Sequence, residues 1–254
     1  MTALRKGFIY KKMNCIVQLF VYDFEKCRNQ PEFQAKLLRL EETKVCLYRN
    51  CSDPSIKSMH IFVDTELAMN YYSQVTNSFK EKVTYILHGK QPLYSELVRY
   101  AASKFLEGET VCIMNSDVFF NSQKDQELIR KIIKPKRLIS LTRHEFTDDN
   151  HTICNNDTCN FTGNGGSSDV FIFQAPVPSD FNYETVSHKQ NMFGAEAVFH
   201  KAWHDCGYEI CNPCDDIKTI HLHRGRVHFE AYTHVETPEN SVMNWKTPLP
   251  PFTS

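Results

Sequence analysis

No apolar run in this chain of 254 residues approaches the roughly 18 that a membrane-spanning helix needs. Nor does either charge dominate. Lys and Arg number 29 against 30 Asp and Glu, a formal net charge of −1. That balance removes any general electrostatic pull towards nucleic acid or an anionic membrane surface. No internal repeat is visible. The N-terminal stretch makes a poor secretion signal: its apolar segment, Cys15 to Tyr22, is short, has no small-residue cleavage site and runs into Asp23. It reads as a first β-strand, and the expected location is cytoplasmic. With 41% hydrophobic and 23% charged residues, the composition is that of an ordinary globular chain.

Cysteine is abundant, at ten residues. Cys15, Cys46 and Cys112 sit inside apolar runs and read as small core residues. Cys154 and Cys159, and Cys211 and Cys214, lie in polar, loop-like sequence. Together they could bind a structural zinc, or each pair could form a disulfide. Without a secretion signal, free thiols are the expectation. Asn50, Asn150, Asn156 and Asn160 each open a glycosylation sequon, which would matter only in a secretory lumen.

The order of the elements points to the fold class. Residues 14–22 predict a strand and 30–50 a helix with Phe33, Leu37, Leu38 and Leu40 on one side. Strands at 59–63, 83–87 and 111–114 alternate with helical pieces at 66–79 and 93–105. A helix at 123–133, a strand at 137–142, the strand Val170–Phe173 and a helix from about Ala195 continue the pattern. Strand–helix alternation indicates βαβ units in a mixed, mostly parallel α/β sheet flanked by helices. Residues 148–169 form a long polar loop containing Gly163, Gly165 and Gly166, the kind of segment that serves as a lid or stays disordered. One domain is expected over 1–237, followed by an arm at 238–254 that holds four prolines.

Three constellations carry chemistry. In "VCIMNSDVFF", Asn115, Ser116 and Asp117 follow directly on a strand. These residues are turn formers. Yet ligands of a parallel sheet sit beyond the carboxyl ends of its strands. Asn115 and Asp117 there would suit a hard divalent cation such as Mg2+ or Mn2+. His221 and His223 alternate with Ile220 and Leu222, so both imidazoles face one side, towards a metal, a phosphate or solvent. Lys218, Arg224 and Arg226 make that segment basic, which suits a diphosphate. Asp169 and Glu196 each stand at the entrance to an apolar element. Apolar surroundings raise a carboxyl pKa towards neutrality, as a general base requires. Each also has a structural reading, as a turn cap and as an ordinary first-turn acid.

The ordered set "YSELVRYAASKFL", "VCIMNSDVFF", "LISLTR", "GSSDVFIF", "NMFGAEAVFHKAWHDCGYEICNP" and "IKTIHLHR" resembles the nucleotide-sugar-dependent glycosyltransferases of the GT-A fold, and among them the small single-domain members, including those of large DNA viruses. The likeness spans roughly residues 14–229 and rests on order and spacing. It implies transfer of a sugar from a nucleotide-diphosphate donor to a hydroxyl of a glycan or glycoprotein acceptor. In that family a D-x-D motif holds the metal, Mn2+ or Mg2+. Here its place is taken by Asn115-Ser116-Asp117, so the first aspartate is missing. The resemblance further implies Asp117, His221 and His223 as metal ligands, and Tyr94, Ser95, Asn115, Ser116, Asp117, Lys218 and Arg224 around the donor. Glu196 matches the base of inverting members, and Asp169 a position that contacts donor sugar or acceptor. Two alternatives remain: a non-catalytic binding module, which the missing aspartate favours, and a nucleotidyltransferase, which usually carries a Gly-rich loop where "VYDFEKCRNQPEF" has no glycine.

Overall fold

The structure is a computed structural model that describes residues 12–145, 167–223 and 235. The loop residues up to 166, Cys154, Cys159, Arg224, Arg226 and the proline-containing arm lie outside the described residues. Ten strands and six α-helices are described. The strands are β1 (Met13–Leu19), β2 (Ile56–Val63), β3 (Val83–Leu87), β4 (Thr110–Met114), β5 (Val118–Phe120), β6 (Arg137–Leu141), β7 (Arg143–Glu145), β8 (Val170–Gln174), β9 (Glu209–Cys211) and β10 (Thr219–His221). The helices are α1 (Phe24–Cys27), α2 (Phe33–Ser52), α3 (Glu66–Thr76), α4 (Tyr94–Lys104), α5 (Gln123–Ile132) and α6 (Ala195–Asp205).

Seven strands form one sheet in the order β3-β2-β1-β4-β8-β6-β9. All neighbouring pairs are parallel except those of β8, which runs antiparallel to both β4 and β6. The fold is therefore the mixed, mostly parallel α/β sheet that the alternation predicts. Alternate residues of its central strands enter two separate cores. Cys15, Val17, Leu19, Cys112, Met114, Val170 and Ile172 pack on one face. Ile16, Val111, Ile113, Phe171 and Phe173 pack on the other. Such two-faced burial is why these strands read as unbroken apolar runs. Phe171, Phe199 and Trp203 are fully buried in the second core. Truncating any of them to Ala would cost about 3–5 kcal/mol.

Helix ends follow local chemistry. Thr65 caps α3 by accepting from the Ala68 amide, and Ser122 caps α5 by accepting from the Asp125 amide. Gly194 starts α6 at φ 81, a left-handed conformation that glycine adopts without penalty. Helix α2 keeps part of its expected face: Leu40 is buried and Phe33 and Leu37 are half-buried. Leu38 is 41% exposed, and the buried face runs through Arg39, Thr43, Cys46, Leu47 and Asn50. Asn50 donates to the Val118 carbonyl at 2.9 Å, so its sequon side chain is spent inside the fold.

A second, three-stranded sheet, β5-β10-β7, is built from elements too short to read in advance. Strand β10 pairs antiparallel with β5, placing His221 opposite Val118, and parallel with β7. Its role is positional: it carries residue 221 to the turn that follows β4. Among the described residues no helix is long and apolar enough to cross a membrane.

Candidate metal and ligand site

The Asn115–Asp117 turn leaves the carboxyl end of β4 and enters β5 at once. Asp117 is 7% exposed. The Leu222 amide donates to its carbonyl oxygen at 2.9 Å, which locks the β10 end against the turn. The imidazole Nε2 of His221 lies 2.9 Å from Asp117 Oδ2. The guanidinium of Arg39, reaching from α2, donates to the same oxygen and, through Nη1, to the Leu222 carbonyl at 2.6 Å. Burial alone would raise the Asp117 pKa. The charges of His221 and Arg39 outweigh it and hold the carboxyl well below the usual range.

His223 completes a cluster. One ligand atom each from Asp117, His221 and His223 lies within 4.8 Å of the others, and this is the one such group among the described residues. The His221 and His223 rings stand edge to face with centroids 5.2 Å apart. Burial, reinforced by Arg39 and His221, pushes the His223 pKa down to about 4, so its imidazole is neutral at pH 7. Its Nε2 is buried with no hydrogen-bond partner among the described residues. An ionised carboxylate, a neutral imidazole with an orphaned nitrogen and a second imidazole form a donor set that fits a divalent cation.

Asp117 of this cluster lines a cavity of about 410 Å3 beyond the carboxyl ends of the parallel strands, whereas His221 and His223 stand behind it and do not line the cavity. Gln18 and Phe20 come from the end of β1, Asp64 from β2, Lys90 from the loop after β3, and Asn115–Asp117 from β4. Arg39 and residues 189–191 complete the wall. The volume lies in the range of small-molecule sites. Three cations (Arg39, Lys90 and Lys189) line it with two carboxylates.

Asp169 lies against Asn115, and Glu196 is close enough to feel its charge; neither candidate acid lines the cavity. The Asn115 side-chain amide donates to Asp169 Oδ1, and its backbone amide donates to the Asp169 carbonyl at 2.9 Å. Arg143 Nη1 lies 3.1 Å and the Ser167 hydroxyl 3.0 Å from Asp169 Oδ2. Asp169 is thus a paired carboxylate rather than one in apolar surroundings. Glu196 is different. Burial pushes its pKa up to about 8, with the nearby charge of Asp169 adding to the rise and its own backbone amide and Arg143 opposing it.

Several expected donor contacts lie elsewhere. Tyr94 is fully buried, its ring 4.6 Å from that of Phe199 and 5.8 Å from that of Phe171. Ser95 is 6% exposed, and its amide donates to the Val186 carbonyl. Neither lines the cavity. Burial, then the charges of Glu196 and Asp169, hold the Tyr94 phenol well above its usual pKa, so it belongs to the shell behind the acids. Lys218 is likewise off the cavity. Its carbonyl pairs with the Asn121 amide at the far end of β10, about 10 Å along the strand from His221. Cys211 and Cys214 are buried, and burial pushes the Cys211 thiol up to about 12. Arg39, Gln18, Lys90 and Gln190 were not foreseen. Arg39 carried a signal: it shares the 39, 43, 46, 47, 50 spacing of the buried face of α2.

No family model matches this chain, and no curated protein does. Among solved structures, it is similar to the mannosyltransferase PcManGT from Pyrobaculum calidifontis in complex with GDP-Man and Mn2+. The TM-score is 0.47 and the identity 11%, over 87% of this chain and 58% of that one. It is also similar to 4-diphosphocytidyl-2C-methyl-D-erythritol synthase from Anaerococcus prevotii, at TM-score 0.43 and 8% identity over 87% and 91% of the two chains. A third likeness, to another 4-diphosphocytidyl-2C-methyl-D-erythritol synthase, has TM-score 0.39 and 11% identity over 80% and 88%. No residue role is carried over from these structures.

Proposed function

We propose that the protein is a metal-assisted glycosyltransferase of the GT-A type, moving a sugar from a nucleotide-diphosphate donor to an acceptor hydroxyl of a glycan or glycoprotein. The observation that carries this reading is the Asp117–His221–His223 cluster, whose Asp117 lines a strand-end cavity, together with a buried Glu196 of raised pKa close to Asp169. Asp117, His221 and His223 would hold Mn2+ or Mg2+, and two imidazoles favour Mn2+ over the oxygen-seeking Mg2+. Bound there, the cation supplies Lewis-acid neutralisation of a leaving diphosphate.

The chain's own residues do the rest. Arg39, Lys90 and Lys189 give the cavity the positive lining that a diphosphate needs. Glu196, in its ionised form, takes the proton of the attacking hydroxyl. A carboxyl with a pKa of about 8 is a stronger base than an ordinary one and is still ionised in part near neutrality. Asp169, fixed by Arg143, Ser167 and Asn115, is the orienting carboxylate that accepts from sugar or acceptor hydroxyls. One base with one orienting acid fits inversion at the anomeric carbon.

The Arg39–Asp117 ion pair favours a second reading, a sugar-nucleotide-binding module that works without metal. Incubation with radiolabelled UDP- and GDP-sugars and Mn2+ separates the two. Release of sugar to water or acceptor supports the transferase, binding without turnover supports the module, and pyrophosphate formation would identify a nucleotidyltransferase instead.

A further inference from the structure

The cavity wall contains a side chain that the fold leaves incomplete. Gln190 lies between two exposed residues, Lys189 and Asn191, yet is itself only 5% exposed. It lines the cavity together with Asn115 and Asp117. Its amide is near enough to the Tyr94 hydroxyl to oppose the rise of the phenol pKa, as a loose hydrogen bond would, yet neither Nε2 nor Oε1 meets any partner at full hydrogen-bonding geometry among the described residues. A buried primary amide with both ends unpaired is costly to keep. Nothing in the loop geometry requires it, because the neighbouring contact, from Gln91 Nε2 to Asn191 Oδ1 at 3.0 Å, already ties the loop down.

We infer that Gln190 reads the sugar of the donor, its amide oxygen accepting from one hydroxyl and its NH2 donating to another. This rests on the sugar-nucleotide reading above and deepens it. The chemistry fits a polyhydroxylated or N-acylated sugar, which offers donor and acceptor groups a few ångströms apart. A nucleoside diphosphate alone leaves the amide unanswered. Position agrees: Gln190 lines the cavity with Asn115, whose side-chain amide donates to Asp169. Gln190 is thereby a specificity-determining residue. A pocket built to hydrogen-bond a hydroxyl discriminates strongly against a ligand that lacks it.

The test replaces the amide with an apolar side chain of similar size. Wild type, Gln190→Met and Gln190→Glu are titrated calorimetrically with UDP-glucose, UDP-galactose, UDP-N-acetylglucosamine and GDP-mannose, and with UDP and GDP, all in Mn2+. Thermal melting is measured alongside. The melting temperature of Gln190→Met should equal or exceed that of wild type, since an unpaired buried amide has been removed. Its affinity for the preferred sugar nucleotide should fall about tenfold, the effect of one or two hydrogen bonds. Its affinity for the matching nucleoside diphosphate should stay unchanged. Gln190→Glu keeps an acceptor, loses the donor and should fall between the two. An equal loss for both ligands, no loss for either, or a marked drop in melting temperature would overturn the inference and leave the transferase reading standing. A wild type that binds none of these nucleotides would overturn both.

Discussion

Arg39 and Asp117, 78 positions apart in the chain, form a buried ion pair at the mouth of the ligand cavity, with side chains 8% and 10% exposed. The carboxylate oxygen that meets the guanidinium is the same one that meets His221. A divalent cation on Asp117, His221 and His223 would therefore sit beside a fixed positive charge. Replacing Arg39 with Gln should tighten Mn2+ binding in the absence of nucleotide by about tenfold or more, read from the free Mn2+ signal in electron paramagnetic resonance. Unchanged or weaker binding would mean that Arg39 does not oppose the metal.

The same pair sets a stability prediction. Asp117→Asn leaves the buried Arg39 charge with only Glu42, 3.5 Å from its Nη1, to balance it, and since breaking a buried pair outright typically costs about 3–5 kcal/mol, the loss should approach the lower end of that range. The variant should melt well below wild type and should lose metal-dependent turnover at temperatures where it is still folded. Near-normal activity in the folded variant would make Asp117 a turn residue and nothing more.

Glu196 gives a pH signature with a definite sign. Its pKa is raised in the folded protein, so folding binds a proton between the ordinary carboxyl value and about 8. Its stabilising contribution is full at low pH and declines as pH rises through that window. Glu196→Gln should accordingly gain melting temperature relative to wild type as pH increases towards 8. Turnover should move the opposite way, rising with pH to a plateau above about 8 in wild type and falling by about 10²–10⁴-fold in the variant. A wild-type rate that is flat across this range would remove Glu196 as the base.

Asp169 is expected to act on binding. Arg143, Ser167 and Asn115 fix its carboxylate. Asp169→Asn should raise the KM for sugar or acceptor more than it lowers kcat, as steady-state kinetics would show. Loss confined to kcat would exchange the roles of the two acids.

Much of this was legible in the sequence, for physical reasons. Strands β1, β2 and β4 announce themselves because both faces are largely buried, which forces continuous apolar runs, whereas the edge strand β3 is only partly covered. The position of Asp117 follows from strand order alone. The small β5-β10-β7 sheet does not, since three-residue strands carry no periodicity. Arg39 shares the spacing of the buried face of α2, but a cation in mid-helix ordinarily belongs to a solvated face, and the groups that hold it inside, Asp117 and the Leu222 carbonyl, lie far away in the chain. Gln190 is likewise invisible between Lys189 and Asn191. Tyr94 and Ser95 show the opposite error. Their place in a family-like motif suggested ligand contact, whereas the aromatic packing of Phe171 and Phe199 claims the Tyr94 ring.

Asp117, His221 and His223 are proposed together to hold a divalent cation that engages a sugar nucleotide's diphosphate. Anomalous diffraction at the manganese edge, from crystals grown with Mn2+ and a non-hydrolysable analogue of the sugar nucleotide bound best in titration, tests it most directly. One strong peak is expected, bonded to the Asp117 carboxylate, to both imidazoles and to diphosphate oxygens, with the Arg39 guanidinium moved off the carboxylate. A nucleotide seated in the cavity with no manganese at these three residues, and Arg39 still paired to Asp117, would contradict it.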